Sequence, residues 1–108
     1  MELNIANSDT ELVITPAGRF DAHECSRFRD IADEAMAANN QVCVELGSVE
    51  FIDSAGLAEL VRIMRRAREQ GGDVRLASPS APVRVILELT RLDAAFEIEW
   101  ATGDTNVT

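Results

Sequence analysis

Ser54 stands in the run Val49-Glu50-Phe51-Ile52-Asp53-Ser54-Ala55-Gly56-Leu57, with an aspartate before it and two small residues after it. The apolar segment Val42 to Leu46 leads into this run and suits a short strand buried on both faces. The segment leaving it places Leu57, Leu60, Val61, Met64 and Ala67 at helical spacing, with Arg62, Arg65, Arg66 and Arg68 interleaved. Asp53 to Gly56 is then the turn where strand gives way to helix. Unsatisfied N–H groups and the helix dipole favour negative charge at such a terminus. A hydroxyl there, followed by Ala55 and Gly56, is open to close approach and suited to carry a phosphate. The plainest structural role is also available: Ser54 or Asp53 caps the helix, and Gly56 lets its first turn pack closely.

Other chemistries fit poorly. A hydrolase elbow needs Gly-x-Ser-x-Gly, and Ile52 occupies the first glycine position. His23 is the one histidine, too few for a zinc site and a weak base for a triad, since it falls at a helix start. A Walker phosphate loop needs lysine, and the chain has none. Cys25 and Cys43 form neither a metal knuckle nor a redox pair. Cys43 reads as a small buried hydrophobe within its strand, and Cys25 lies at a helix start. No metal, no cofactor and no catalysis are expected.

The 108 residues suit one domain with a two-layer core, and 46% apolar content suits a folded globular protein. Ten arginines against nineteen acids leave a net charge of −9, which argues against nucleic acid as a partner. No run is long enough to span a membrane, and no basic region followed by an apolar core opens the chain, so the cytosol is the expected compartment.

The order of elements follows from periodicity. Leu3 and Ile5 alternate with polar neighbours as a half-buried first strand. Leu12 to Thr15 is a second strand, ended by Pro16-Ala17-Gly18 and joined to the first as an antiparallel hairpin. Asp21 starts a helix, with Glu24 completing a capping box. Phe28, Ile31, Ala32 and Ala35 form its apolar face, and Asp30, Asp33 and Glu34 a solvated one. Gly71-Gly72 ends the second helix, Val74 to Ala77 is a strand, and Ser78 to Pro82 opens a third helix. Phe96 to Trp100 alternates as an edge strand. Residues 1–101 form the domain and 102–108 a tail expected to fray. The pattern predicts a mixed sheet of four to five strands with helices packed against it.

Phe51 to Leu57 closely resembles the phosphorylation-site signature of bacterial anti-sigma factor antagonists, which are STAS domains. Gly18-Arg19-Phe20-Asp21-Ala22 is similar to the Gly-Arg-Leu-Asp turn of that family. Leu76 to Ser80 and Val85 to Asp93 resemble its final strand–helix–strand portion, so nearly the whole chain is covered in the family's order. The resemblance implies a non-enzymatic α/β switch. The unphosphorylated form binds an anti-sigma factor, itself a GHKL-type serine kinase, and frees a sigma factor. Phosphorylation of Ser54 ends that binding, and a metal-dependent serine phosphatase restores it. By the same resemblance, Asp21, Asp53, Ala55, Gly56 and Leu57 form the partner-binding end around Ser54, and a larger residue at Gly56 is expected to obstruct the kinase more than the fold.

Arg62, Arg65 and Arg66 read as a solvated helix side, with an acidic interface as the alternative. Two departures stand out. Arg91 replaces a frequent family glycine and suggests a different local turn, and Glu45-Leu46-Gly47-Ser48 replaces Asp-Leu-Ser-Gly. A different class is also open: a STAS subunit that is a structural or regulatory part of a transporter or signalling scaffold, in which Ser54 only caps.

Overall fold

The structure is a computed structural model that describes residues 1–101; the tail 102–108 lies outside the described residues. β1 (Glu2–Asn7) and β2 (Leu12–Phe20) form the opening antiparallel hairpin. A 3-10 turn (Ala22–Glu24) and α1 (Cys25–Met36) follow, then β3 (Gln41–Glu45), β4 (Val49–Ile52) and α2 (Ser54–Glu69). The chain continues through β5 (Asp73–Ala77), α3 (Ala81–Leu89), a second 3-10 turn (Leu92–Ala94) and β6 (Glu97–Glu99).

The sheet runs β1-β2-β3-β5-β6, with β4 paired to β2 off that path. β1 is antiparallel and every other pairing is parallel, so the sheet is mixed as the periodicity implied. The order beyond β2 advances in one direction, so right-handed crossovers put the three helices on one face. Rows such as Ile14, Val44, Leu76 and Ile98 point toward them; of these, the first three are fully buried. The alternate row, Val13, Cys43 and Arg75, points the other way. There the Arg75 guanidinium is fixed between Glu11 (2.9 Å) and Glu99 (2.7 Å). Beside it Cys43 is only 3% exposed, so β3 is buried on both faces as expected.

Four local expectations are corrected. Pro16 to Gly18 does not end β2, which continues to Phe20. Leu12–Ile14 pair with β3 and Gly18–Phe20 pair with β4, and Pro16 falls between the two ladders, where its missing N–H breaks neither. Gly18 takes φ +101° at a register shift, the bulge that redirects β2 onto its second partner. This second partner, β4, is the strand the periodicity missed, because Val49-Glu50-Phe51-Ile52 has two exposed residues in the middle and no alternation.

The capping box is absent as well. The Glu24 carboxylate takes the Met1 amino group at 2.9 Å, while its own N–H donates to the Asp21 carbonyl. Arg91 keeps a left-handed conformation (φ 61°) despite its Cβ, so the turn that was expected to differ retains the form a glycine favours. Elsewhere, β1 is an edge strand whose Ile5 is exposed although Leu3 is half-buried.

Gly56 fixes where α2 begins. A Cβ on it would lie 2.5 Å from the Phe20 carbonyl oxygen and 2.8 Å from Ile52 Cγ1. The first turn of α2 therefore rests directly on the ends of β2 and β4, with the backbone of Phe20 unable to swing aside. This overturns the expectation that the fold tolerates bulk at Gly56. Gly56→Val is expected to lose about 3 kcal/mol or more, at the upper end of overpacking penalties. Urea unfolding measures this, and a wild-type midpoint in that variant would contradict it.

Candidate functional site

Two short turns meet at the ends of parallel neighbours. Phe20 and Ile52 are partners in register, so the residues that follow them, Asp21 and Asp53, leave the sheet side by side. Both are extended, with ψ of −176° and −177°, and both cap the turn they open. Asp21 Oδ1 accepts from the His23 N–H at 3.1 Å. Asp53 Oδ1 accepts from the Gly56 N–H at 2.9 Å, and its Oδ2 reaches across to the Ala22 N–H at 3.0 Å. The Asp53 N–H in turn donates to the Phe20 carbonyl at 3.3 Å. One carboxylate thus closes the helix and ties it to the other turn. The Gly56 N–H, with help from Ala22 and against slight burial, holds the Asp53 carboxyl below the usual aspartate range.

Asp53 takes the cap, which leaves Ser54 free of it. Ser54 is the first helical residue, exposed, and its hydroxyl has no hydrogen bond among the described residues. Ala55 is half-buried, and Gly56 and Leu57 are buried. Of the five residues expected at the partner-binding end, Asp21, Asp53 and Ala55 reach the surface around Ser54. Gly56 and Leu57 support it from below and offer no surface of their own.

Two residues outside that expected set stand one position before Phe20 and Ile52 on the same two strands. Arg19 and Phe51 are register partners on β2 and β4, and the Arg19 guanidinium lies over the Phe51 ring, 4.2 Å from its centroid. Phe51 is 37% exposed, the only exposed large aromatic among the described residues. Arg19 Nε stands 3.7 Å from Asp21 Oδ2. Both residues lie within the quoted sequence motifs, but the pairing of β4 with β2 is what joins them.

Beneath the platform, α1 and α2 are tied by charge. Glu59 is 3% exposed and takes Arg29 at 2.6 Å and Arg62 at 3.0 Å. Burial opposes its ionisation, but these arginines hold its carboxyl below the usual range. Arg62 also meets Asp33 at 3.0 Å, with Arg66 at 3.6 Å. Asp33 is therefore not a solvated residue, and of the four α2 arginines only Arg65 faces water unpaired among the described residues, since Arg68 meets Asp73. A glutamate inside the apolar face of α2, between Leu57 and Leu60, was the sequence signal for this network. Cys25 donates to the Asp21 carbonyl at 3.4 Å, and burial, then Glu59 and Asp53, push its thiol up, which disfavours a reactive thiolate.

Among the described residues there is no cluster of metal-ligating side chains and no helix long and apolar enough to cross a membrane. A family model described as "Mlab, STAS domain" matches residues 3–98. The chain belongs to the STAS family. A Thermotoga maritima protein named as an anti-sigma factor antagonist is 37% identical over 92 residues, covering 83% of this chain and 81% of that one. The crystal structure of a T. maritima protein of the same description superposes with a TM-score of 0.84 at 26% identity, over 95% of this chain and 90% of that one.

At 19% identity, and so for the fold alone, SpoIIAA superposes in its unphosphorylated form over 98% of this chain and 94% of that one (TM-score 0.75). The phosphorylated Bacillus form gives 0.74 over 96% of each chain. The STAS assignment and the mixed α/β fold expected from the motifs therefore hold. The named relatives are binding regulators rather than enzymes.

The cap assignment separates two neighbours. Asp53→Ala should lose about 2–3 kcal/mol, from a cap and a second charge-assisted bond. Ser54→Ala should stay within about 0.5 kcal/mol of wild type. Because the folded pKa of Asp53 is lowered, the lead of wild type over Asp53→Ala is full above about pH 4, the unfolded aspartate value. It disappears as pH falls through the folded value. Denaturant melts across the acid range measure both; equal losses for the two variants would refute the assignment.

Proposed function

We propose that this STAS domain is an anti-sigma factor antagonist of the cytoplasm whose partner binding is set by phosphorylation of Ser54. The observation that carries the reading is the Ser54 hydroxyl: exposed, without a hydrogen bond among the described residues, and mounted on a turn fixed by Asp53 and Gly56. Phosphoacceptor chemistry asks little more of a substrate than this. A GHKL-type serine kinase, the anti-sigma factor itself, supplies ATP, magnesium and catalytic groups, and a metal-dependent serine phosphatase resets the switch. The unmodified domain binds the kinase through the surface around Asp21, Asp53 and Ala55, and a sigma factor is freed.

A phosphate adds roughly −1.5 to −2 charges. At the N-terminus of α2 the host domain accommodates them. Against an apposed partner the same charges must be desolvated beside Asp21 and Asp53. A penalty of about 4 kcal/mol weakens binding roughly a thousandfold. No change of fold is needed.

The test titrates one kinase preparation with four forms of the domain. Wild type and Ser54→Ala should bind most tightly and alike, Ser54→Asp more weakly, and the phosphorylated protein most weakly. A carboxylate carries one charge and fewer acceptor oxygens, hence its middle place. Equal binding of phosphorylated and unmodified protein would overturn the reading. A second reading is kept because the matched family model is described as Mlab and not by anti-sigma regulation. There the domain is a structural or regulatory subunit of a transporter or signalling scaffold, Ser54 stays unmodified, and the same titration finds no kinase affinity.

A further inference from the structure

The face of α2 that carries Ser54 continues into a groove. Ser54, Ala58, Val61, Arg65 and Glu69 follow one another at steps of three or four residues, so they form one row along the helix. Beyond Ser54 this row enters an open groove of about 670 Å³, lined by Ala58, Val61, Arg62, Arg65, Arg66 and Glu69. Ala58 is small and exposed, and Val61 is half-buried. Three of the lining residues are cations and one is an acid, in a chain whose net charge is −9. We propose that this groove seats an acidic segment of the anti-sigma factor, with a partner carboxylate held at Arg65 and apolar contact over Ala58 and Val61.

This inference rests on the reading of Ser54 given above and names chemistry that the partner must bring. Two of the arginines are anchored from behind. Arg62 meets Glu59 and Asp33 at 3.0 Å each, and Arg66 meets Asp33 at 3.6 Å. Glu59 is also met by Arg29 at 2.6 Å. These acids do not exhaust the two guanidinium groups, since Arg62 Nη2 and Arg66 Nε are buried with no acceptor among the described residues. Arg65 is exposed and has no partner among those residues, so its whole fork of donors is open to a carboxylate. Ala58 and Val61 supply small apolar anchors one and two turns beyond Ser54, the spacing at which a partner segment lies along a helix. An inorganic anion would answer the arginines and leave that apolar part bare; a protein segment covers both.

The groove acts apart from the phosphate. Arg65 lies eleven residues beyond Ser54, about 16 Å along the helix at 1.5 Å per residue. That is about two Debye lengths at physiological salt, so a charge at Ser54 is largely screened from it. The groove selects which partner is held, and Ser54 decides whether it is held.

The experiment measures the affinity of one anti-sigma kinase preparation for wild type, Arg65→Gln, Arg65→Glu and Glu69→Arg at low and physiological salt. Each protein carries serine or phosphoserine at position 54. Both substituted side chains are exposed, and circular dichroism checks that each variant is folded. Arg65→Glu should weaken binding about tenfold and Arg65→Gln about threefold, with a shallower salt dependence. Glu69→Arg should tighten binding about threefold, a gain that damage to the fold would not produce. The factor by which phosphorylation weakens binding should be the same in all four proteins, because the two sites are far enough apart to add.

A second arm uses the absence of lysine from the chain. Arg65→Lys places one amine in the groove, and a carbodiimide should couple it to an aspartate or glutamate of the bound kinase, read by mass spectrometry. If phosphorylation releases the kinase but Arg65→Glu binds like wild type and position 65 gives no cross-link, the inference fails and the reading of Ser54 stands. A wild-type dimer that Arg65→Glu dissociates would put a second copy in the groove and overturn the proposal. If the wild type never binds a kinase, both readings fail.

Discussion

The Asp53 carboxylate is the interaction on which the site depends. With one oxygen on the Gly56 N–H and the other on the Ala22 N–H, it turns two loops thirty-one positions apart into one platform. Each bond is charge-assisted and each satisfies a backbone donor that would otherwise be left open at a turn. The bonds need the two turns to start level, and the parallel pairing of Phe20 with Ile52 supplies that. It needs Gly56 as well, since any side chain there would lift α2 off the Phe20 carbonyl. Ser54 has no hydroxyl partner among the described residues because its neighbour takes the cap.

The distribution of charge makes sense on the same frame. A chain with nineteen acids and ten arginines commits most of its cations to holding elements together. Arg29, Arg62 and Arg66 join α1 to α2 through Glu59 and Asp33. Arg75 spans the open face of the sheet from Glu11 to Glu99, and Arg68 reaches Asp73 and the Ala95 carbonyl. The burial of Glu59 is stable only while both of its arginines remain, because a buried carboxylate without a partner carries a heavy desolvation cost. At the Ser54 end the carboxylates of Asp21 and Asp53 are instead held by turn N–H groups.

Much of this was legible in the sequence where the determinants are local. The apolar spacing of Leu57 to Ala67 located α2, the run Val42 to Leu46 gave a doubly buried strand, and Asp53 was recognised as one of two candidate caps. What stayed hidden depends on partners far along the chain. β4 has no periodicity of its own and exists because β2, bent at Gly18, offers it an edge. The constraint on Gly56 comes from a carbonyl thirty-six residues earlier, which is why bulk there looked tolerable. Asp33 looked solvated on its own helix until α2 brought Arg62 and Arg66 to it. Arg19 and Phe51 were quoted as motif residues, but their stacking is a property of two strands and of neither alone.

The platform also bears on how a phosphate would act. Its bonds are made by Asp53, Gly56 and Ala22, none of which needs the Ser54 hydroxyl, so modification leaves the supporting contacts in place. SpoIIAA shares this fold in both its unphosphorylated and its phosphorylated form. The central claim, a rigid platform that changes its charge and not its shape, is tested most directly by amide hydrogen exchange on the unmodified and Ser54-phosphorylated domain. The account predicts altered protection confined to residues 18–24 and 50–57, with β5, α3 and β6 unchanged. Altered exchange spreading into β5, α3 or β6 would contradict it.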